Sequence, residues 1–183
     1  MERLIVIGGG GAGTAAATIA KRLDPTLKVS VFTEFSDIAY SPCGIPFVHG
    51  GEIPRFEDLF LSTVERYEAD GLDMRMETVV TDIDLDRRTI TARNQPEGFD
   101  QLVLCTGFHW EQPDVPGANL DGLHYVKDIR KSMQFDEQLD SMKRVVSASP
   151  TCWPGGSGSA GRATSPARRR RSSCCSPSRA RCG

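Results

Sequence analysis

The stretch Arg3-Leu4-Ile5-Val6-Ile7-Gly8-Gly9-Gly10-Gly11-Ala12-Gly13 decides the fold. Its apolar run is short and enters a cluster of glycines, which reads as a buried strand ending in a tight turn. Gly8, Gly10 and Gly13 fill the pattern G-x-G-x-x-G. The next ten residues, Thr14-Ala15-Ala16-Ala17-Thr18-Ile19-Ala20-Lys21-Arg22-Leu23, are good helix formers, and many are small enough to let a helix lie close on a sheet. Strand, glycine turn and helix in this order predict a dinucleotide-binding βαβ unit. Gly8 would make the turn, Gly10 would let the backbone approach a pyrophosphate, and Gly13 would allow helix and strand to touch. The helix N-terminus would attract the phosphates. Gly11 and Ala12, between the motif glycines, count with them as cofactor-binding residues. The alternative is a glycine turn in an ordinary α/β protein.

Outward from this unit, Asp24-Pro25 ends the helix and Lys28-Val29-Ser30-Val31-Phe32 reads as a second strand. An acid is expected at its end, about 20 residues past the glycines, to accept from the ribose hydroxyls. Glu34 is the candidate. A one-residue slip turns a strand side chain to the opposite face, so Thr33 could hold the position instead.

Ser41-Pro42-Cys43-Gly44-Ile45-Pro46-Phe47 comes next. Pro42 suits a first helical position and Ser41 the cap before it. Cys43 would then sit in a first turn, where free N–H groups and the helix dipole favour the thiolate. Pro46 should kink that turn. A two-cysteine redox site with four residues between would need a cysteine at position 48, which is Val48. Redox chemistry here would therefore run on one sulfur, oxidised to a sulfenic acid or to a mixed disulfide with a small thiol. A buried structural cysteine is the bland alternative.

Farther on, Ser62-Thr63-Val64-Glu65 has the pattern of a capping box opening a short helix that Asp70-Gly71 closes. Residues 72–76 read as a strand. Val79, Thr81, Ile83 and Leu85 alternate with Val80, Asp82, Asp84 and Asp86, Asp86-Arg87-Arg88 makes a turn, and Thr89-Ile90-Thr91-Ala92 returns, which predicts an antiparallel meander. Asn94-Gln95-Pro96-Glu97-Gly98 reads as the following turn and residues 99–105 as a strand leading into Thr106-Gly107. Simple nicotinamide-binding domains alternate strands and helices at this point, so the meander favours a flavoprotein-type domain. Residues 113–117 resemble a linker, and residues 128–142 read as a mostly polar helix. Lys143-Arg144-Val145-Val146 looks like the start of another buried strand.

The chain has 183 residues and a net charge of −2, which conceals two unlike pieces. Residues 1–146 hold 15 basic and 24 acidic residues, while residues 147–183 hold seven Arg, four Cys and no acid, Lys, Leu, Ile, Val or Phe. No apolar run approaches a membrane span and no secretory signal is visible, which predicts a cytoplasmic protein without a membrane partner. Only Cys43 and Cys105 lie in the patterned part, against a disulfide framework. His49, His109 and His124 lack ligand spacing, so no metal is expected.

The fingerprint, Cys43-Gly44-Ile45-Pro46-Phe47, the meander, and Leu102-Val103-Leu104-Cys105-Thr106-Gly107 followed by Pro113 and Pro116-Gly117 together resemble the single-cysteine FAD-dependent pyridine nucleotide-disulfide oxidoreductases. That group includes coenzyme A-disulfide reductases, NAD(P)H oxidases and peroxidases, and sulfur or polysulfide reductases. The resemblance covers residues 1 to about 146. It implies an α/β fold, a Rossmann-like FAD-binding domain with an inserted antiparallel β-meander. It also implies that Gly8, Gly10, Gly13 and the acid near Glu34 bind the ADP half of FAD, that Cys43 is the redox sulfur beside the flavin, and that Thr106 and Gly107 line the cofactor, with Ser41 beside the cysteine. NAD(P)H would be the electron donor and a small thiol or disulfide, such as coenzyme A disulfide, a polysulfide, or peroxide or oxygen the acceptor. The full-length form would be a homodimer.

Two residues depart from the group: Thr33 where an acid is frequent, and Cys105 where alanine precedes Thr-Gly. Residues 1–117 would form the FAD-binding domain without its return segment, and residues 118–146 a linker helix and the first strand of a truncated NAD(P)-binding domain. Residues 147–183 would be a disordered, low-complexity basic tail with the bias of a frameshifted GC-rich reading frame; a natural basic tail is the alternative. Arg168-Arg169-Arg170-Arg171 lacks aromatic interleaving and a DNA-binding fold, so no nucleic-acid partner is expected. A non-catalytic flavin-binding remnant is the alternative to an active enzyme.

Overall fold

The computed structural model describes residues 1–108, 112, 114–126, 128–139, 141, 142, 145–147 and 161–163. His109, Pro113, Lys143, Arg144 and most of the 147–183 tail, with its arginine run and four cysteines, lie outside the described residues.

Strand β1 (Arg3–Ile7) leads through the glycines into α1 (Gly11–Leu23), which returns to β2 (Lys28–Phe32). With β3 (Leu72–Arg75) and β7 (Gln101–Leu104) these strands form a four-stranded sheet in the order β3-β2-β1-β7, every pair parallel. Parallel strands covered on both faces are apolar throughout, and β1 divides its side chains accordingly. Leu4 and Val6 join Ala17, Val29, Val31, Tyr67, Leu72 and Met74 under α1 and α3 (Val64–Ala69). Ile5 and Ile7 meet Phe32, Ile90 and Ala92 on the opposite face. That face is covered by a three-stranded antiparallel sheet, β4 (Val80–Asp84), β5 (Thr89–Ala92) and β6 (Gln95–Gly98). The molecule is thus layered as helices, parallel sheet and meander, the α/β architecture with an inserted meander that the sequence predicts.

Three local expectations are corrected. Gln95–Gly98 is a strand, not a turn; the turn is Arg93-Asn94, both at positive φ (49° and 60°). Pro96 is tolerated because β6 is an edge strand, paired only with β5. The period of two in β4 breaks at Thr81, where a bulge shifts the register between Val80 and Asp82. Val80 and Ile83, three apart, therefore pack together on the second cluster, while Val79 and Leu85 are exposed. Finally, the α3 cap is Thr63 rather than Ser62: its hydroxyl accepts from the Arg66 N–H at 3.3 Å.

Beyond the sheet, α4 (Ile129–Leu139) packs back on α2 (Ile45–His49). Its first turn is closed by Asp128, whose Oδ1 accepts from the Lys131 N–H at 2.8 Å. Strand β8 (Val145–Ser147) pairs antiparallel with β9 (Gly161–Ala163) as a separate ribbon. Val145 and Val146 are thus extended as expected, and residues 161–163 depart from the disorder expected of the tail.

Candidate cofactor and cysteine site

The strand order reverses at β1: the chain steps from β1 to β2 and β3 on one side and places β7 on the other. In open parallel sheets ligands bind at such a switch point, outside the carboxyl ends of the strands. Three of the four strand ends carry residues of the predicted set, while residues 76–78 follow β3 and bond the chain after β2. The glycine turn follows β1, Thr33 and Glu34 follow β2, and Cys105, Thr106 and Gly107 follow β7.

The glycines differ in what surrounds them. Gly8 has φ +118°, and a Cβ there would lie 2.0 Å from the Cys105 carbonyl oxygen and 3.1 Å from the Thr106 nitrogen. At Gly13 a Cβ would lie 1.8 Å from the Gly8 carbonyl oxygen and 3.3 Å from the Val6 side chain, so α1 rests directly on the turn. Gly10 and Gly107 are the opposite case: a Cβ at either would meet nothing within 4 Å. The turn is closed against its own scaffold and open where a ligand would approach. Gly10 caps α1 without a side-chain hydrogen bond, and the first turn carries no acid. The leading N–H groups of a 13-residue helix thus face that space with the positive end of its dipole. These residues fit the pyrophosphate of a dinucleotide.

At the end of β2, Thr33 is buried and faces the glycines; a Cβ on Gly9 would sit 2.9 Å from the Thr33 Cβ. Its Oγ1 accepts from the Phe35 N–H at 3.3 Å. Glu34 is exposed. Between the two candidates for the strand end, the position against the glycine turn belongs to Thr33.

Cys43 is exposed, in a 3-10 turn (Pro42–Gly44) that passes directly into α2. Ser41 caps it through backbone alone: the Gly44 N–H donates to the Ser41 carbonyl at 3.1 Å, with no side-chain cap bond. Pro46 stands at the start of α2, so the change from 3-10 to α-helical winding falls where the sequence predicts a kink. The segment before the cysteine is tied down by backbone bonds, Ser41 N–H to Leu59 at 2.8 Å and Leu61 N–H to Ala39 at 2.9 Å. The Leu61 side chain reaches the glycine turn, 3.9 Å from where a Cβ on Gly11 would stand. Cysteine turn and glycine turn are therefore neighbours through residues 59–61.

Residues that local sequence gives no reason to single out support the cysteine turn. The Ile129 N–H donates to the Tyr40 hydroxyl at 3.3 Å, and burial pushes the Tyr40 phenol above its usual range. His49 Nδ1 lies 2.9 Å from Asp136 Oδ1. Arg130 bonds Ser36 and Asp37, and the carboxylate raises the guanidinium further above its already high range. The one signal available was the spacing of Ile129 and Ser132, three apart on α4, both fully buried. Among the described residues no group of three or more His, Cys, Asp and Glu could hold a metal ion, and no helix is long and apolar enough to cross a membrane.

Residues 2–147 match the sequence profile of the family described as Pyridine nucleotide-disulphide oxidoreductase. The chain belongs to this family. Its members are FAD-dependent oxidoreductases that use NAD(P)H. Among its relatives, an NADH oxidase of Methanocaldococcus jannaschii is 35% identical over 153 residues, covering 79% of this chain and 34% of the relative. An NAD(P)H coenzyme A polysulfide/persulfide reductase of Pyrococcus horikoshii is 28% identical, covering 78% of this chain and 32% of its own. In structure the chain is similar to the water-forming NADH oxidase of Lactobacillus brevis bound to NADH, with a TM-score of 0.74, 27% identity and coverage of 79% and 33%. The chain spans about a third of the length of the relatives it matches.

Proposed function

We propose that this chain is the flavin-holding, cysteine-bearing part of an FAD-dependent oxidoreductase that passes electrons from NAD(P)H to a disulfide such as coenzyme A disulfide, a polysulfide, or peroxide or oxygen. The observation that carries the reading is an exposed Cys43 whose turn is tied through residues 59–61 to a glycine turn open only on its ligand side.

In this reading Gly8, Gly10, Gly11, Ala12 and Gly13 hold the pyrophosphate by backbone N–H groups, the ribose rests at the Thr33-Glu34 corner, and Thr106, Gly107 and Ser41 bind the cofactor as well. FAD, when bound, supplies the two-electron relay between the nicotinamide and the sulfur. Cys43 does the sulfur chemistry. As thiolate it attacks one sulfur of a disulfide, forming a mixed disulfide and releasing the other half as a thiolate. Two electrons and a proton then free the second thiol and regenerate Cys43. A homodimer in the full-length form and a cytoplasmic location complete the proposal.

The test uses the 183-residue chain. One FAD should bind per chain, and coenzyme A disulfide should release one coenzyme A thiol while the other half adds to Cys43, read by mass spectrometry. Cys43→Ser should keep the FAD and lose the share of release matched by the residue-43 adduct, which peptide mass spectrometry resolves from adducts on the other five cysteines. Thiol release undiminished in Cys43→Ser would end the reading. A second reading, a flavin-binding remnant without turnover, is favoured by β7 standing at the sheet edge among the described residues, where Leu104 is 60% exposed. It predicts weak FAD retention and no NADH-dependent turnover, and tight FAD with turnover refutes it.

A further inference from the structure

The cysteine turn is short on internal support. A five-residue α2 with proline as its second residue falls well below the length at which a helix holds itself in water. Its inward residues, Ile45 and Val48, share a cluster with Phe56, Leu59 and Ile129, and Ile129 belongs to α4, more than 80 residues along the chain. The same helix reaches both ends of the segment that carries Cys43. Ahead of the cysteine, the first N–H of α4 is bonded to the Tyr40 hydroxyl. Behind it, Asp136 takes His49, the last residue of α2. A carboxylate only accepts, so His49 donates through Nδ1. The ring stands edge-on between Phe56 and Phe135, at centroid distances of 5.5 Å and 5.3 Å, and its buried Nε2 finds no partner among the described residues. Among the described residues the Asp136 bond is thus the one polar contact that fixes the imidazole.

We infer that α4 braces Cys43, with Asp136 as a positioning residue that acts through His49. The inference rests on Cys43 being the reacting sulfur, as proposed above, but the brace is measurable without FAD or turnover. Asp136 is half exposed, which lets the substitution be made without emptying the core.

Amide hydrogen exchange of the 183-residue chain tests it. Asp136→Ala should speed exchange at the Gly44 and Gly50 amides roughly fivefold, the effect of losing one hydrogen bond, with β1 and β2 unchanged. Asp136→Asn keeps an acceptor and should remain within about twofold of the parent. His49→Phe, which keeps the ring and loses the bond, should match Asp136→Ala. Iodoacetamide labelling of Cys43, resolved from the five other cysteines by peptide mass spectrometry, should change rate in Asp136→Ala and not in Asp136→Asn. Exchange at Gly44 and Gly50 that is unmoved by Asp136→Ala, or raised equally by Asp136→Asn, overturns the inference. An unreactive Cys43 in the parent chain alongside the predicted exchange pattern would strike the proposed function and leave the brace standing.

Discussion

The glycine turn and the cysteine turn stand side by side, yet their support comes from different distances along the chain. The first is held mostly by backbone: β1 enters it, α1 leaves it, the Gly8 N–H donates to the Phe32 carbonyl at the end of β2, and Gly8 is packed against the backbone after β7, with Thr33 and Leu61 touching its rim. The second is held from afar, by α4 through Tyr40, His49 and the Ile129 cluster. A turn built from backbone contacts admits almost no side-chain variation, whereas one braced by side chains varies with its brace. The two should therefore fail differently.

The largest effect is expected where no side chain can be accommodated. Gly13→Ala puts a methyl 1.8 Å from the Gly8 carbonyl oxygen. Either α1 lifts from the sheet or the turn opens. A cost on the order of 5 kcal/mol would consume most of the stability of a domain this size, so the variant should fail to give a cooperative urea transition. A transition at the parent midpoint would mean that the glycine turn is as adaptable as its neighbour.

Ile129→Ala strikes the other turn. Ile129 is 2% exposed, and removing such a side chain costs about 2–5 kcal/mol. The loss should be unevenly felt, with exchange rising in residues 40–49 while β1, α1 and β2 stay protected. Uniform loss across both turns would erase the distinction between them.

That distinction also explains what was legible in the sequence. Strand, glycines and helix announce the first turn within 23 residues, because the elements that make it are consecutive in sequence. Cys43 and its kinked turn were visible for the same reason. The brace was not: Asp136 sits 87 residues from His49, and a polar helix gives no hint of which carboxylate will face which ring. The meander was legible as a period of two, but its phase was lost at Thr81, since a bulge is set by how β4 and β5 lie on Ile5, Ile7 and Phe32. The Gln95–Gly98 strand was hidden by Pro96, whose missing N–H matters only where a strand has neighbours on both sides.

Within the glycine turn, closed and open positions should separate stability from binding. Gly10 has an extended backbone, φ −75° and ψ −177°, that any residue adopts, and empty space where a Cβ would go. Gly10→Ala should leave stability within about 0.5 kcal/mol of the parent. If FAD lies there, the methyl occupies the approach of its pyrophosphate, and affinity should drop roughly tenfold. Thermal unfolding and FAD fluorescence titration on the same sample give both readings. Unchanged affinity would move the cofactor away from Gly10.

The smallest effect concerns the corner after β2. An acid near Glu34 is the expectation from spacing, but Thr33 is the residue packed against Gly9, and Glu34 is exposed. The Thr33 hydroxyl already accepts from the Phe35 N–H, which leaves its proton and a second lone pair for a ribose hydroxyl. Thr33→Val keeps the shape and removes that capacity, so FAD affinity should fall roughly threefold, the size of one neutral hydrogen bond. Glu34→Gln should change it less than about twofold, because Glu34 is exposed while Thr33 packs against Gly9. The reverse order, with Glu34→Gln the more damaging, would return the ribose to Glu34. It would also mean that the chain after β2 turns toward the ligand when FAD binds, making this corner the one part of the glycine site that behaves like the cysteine turn.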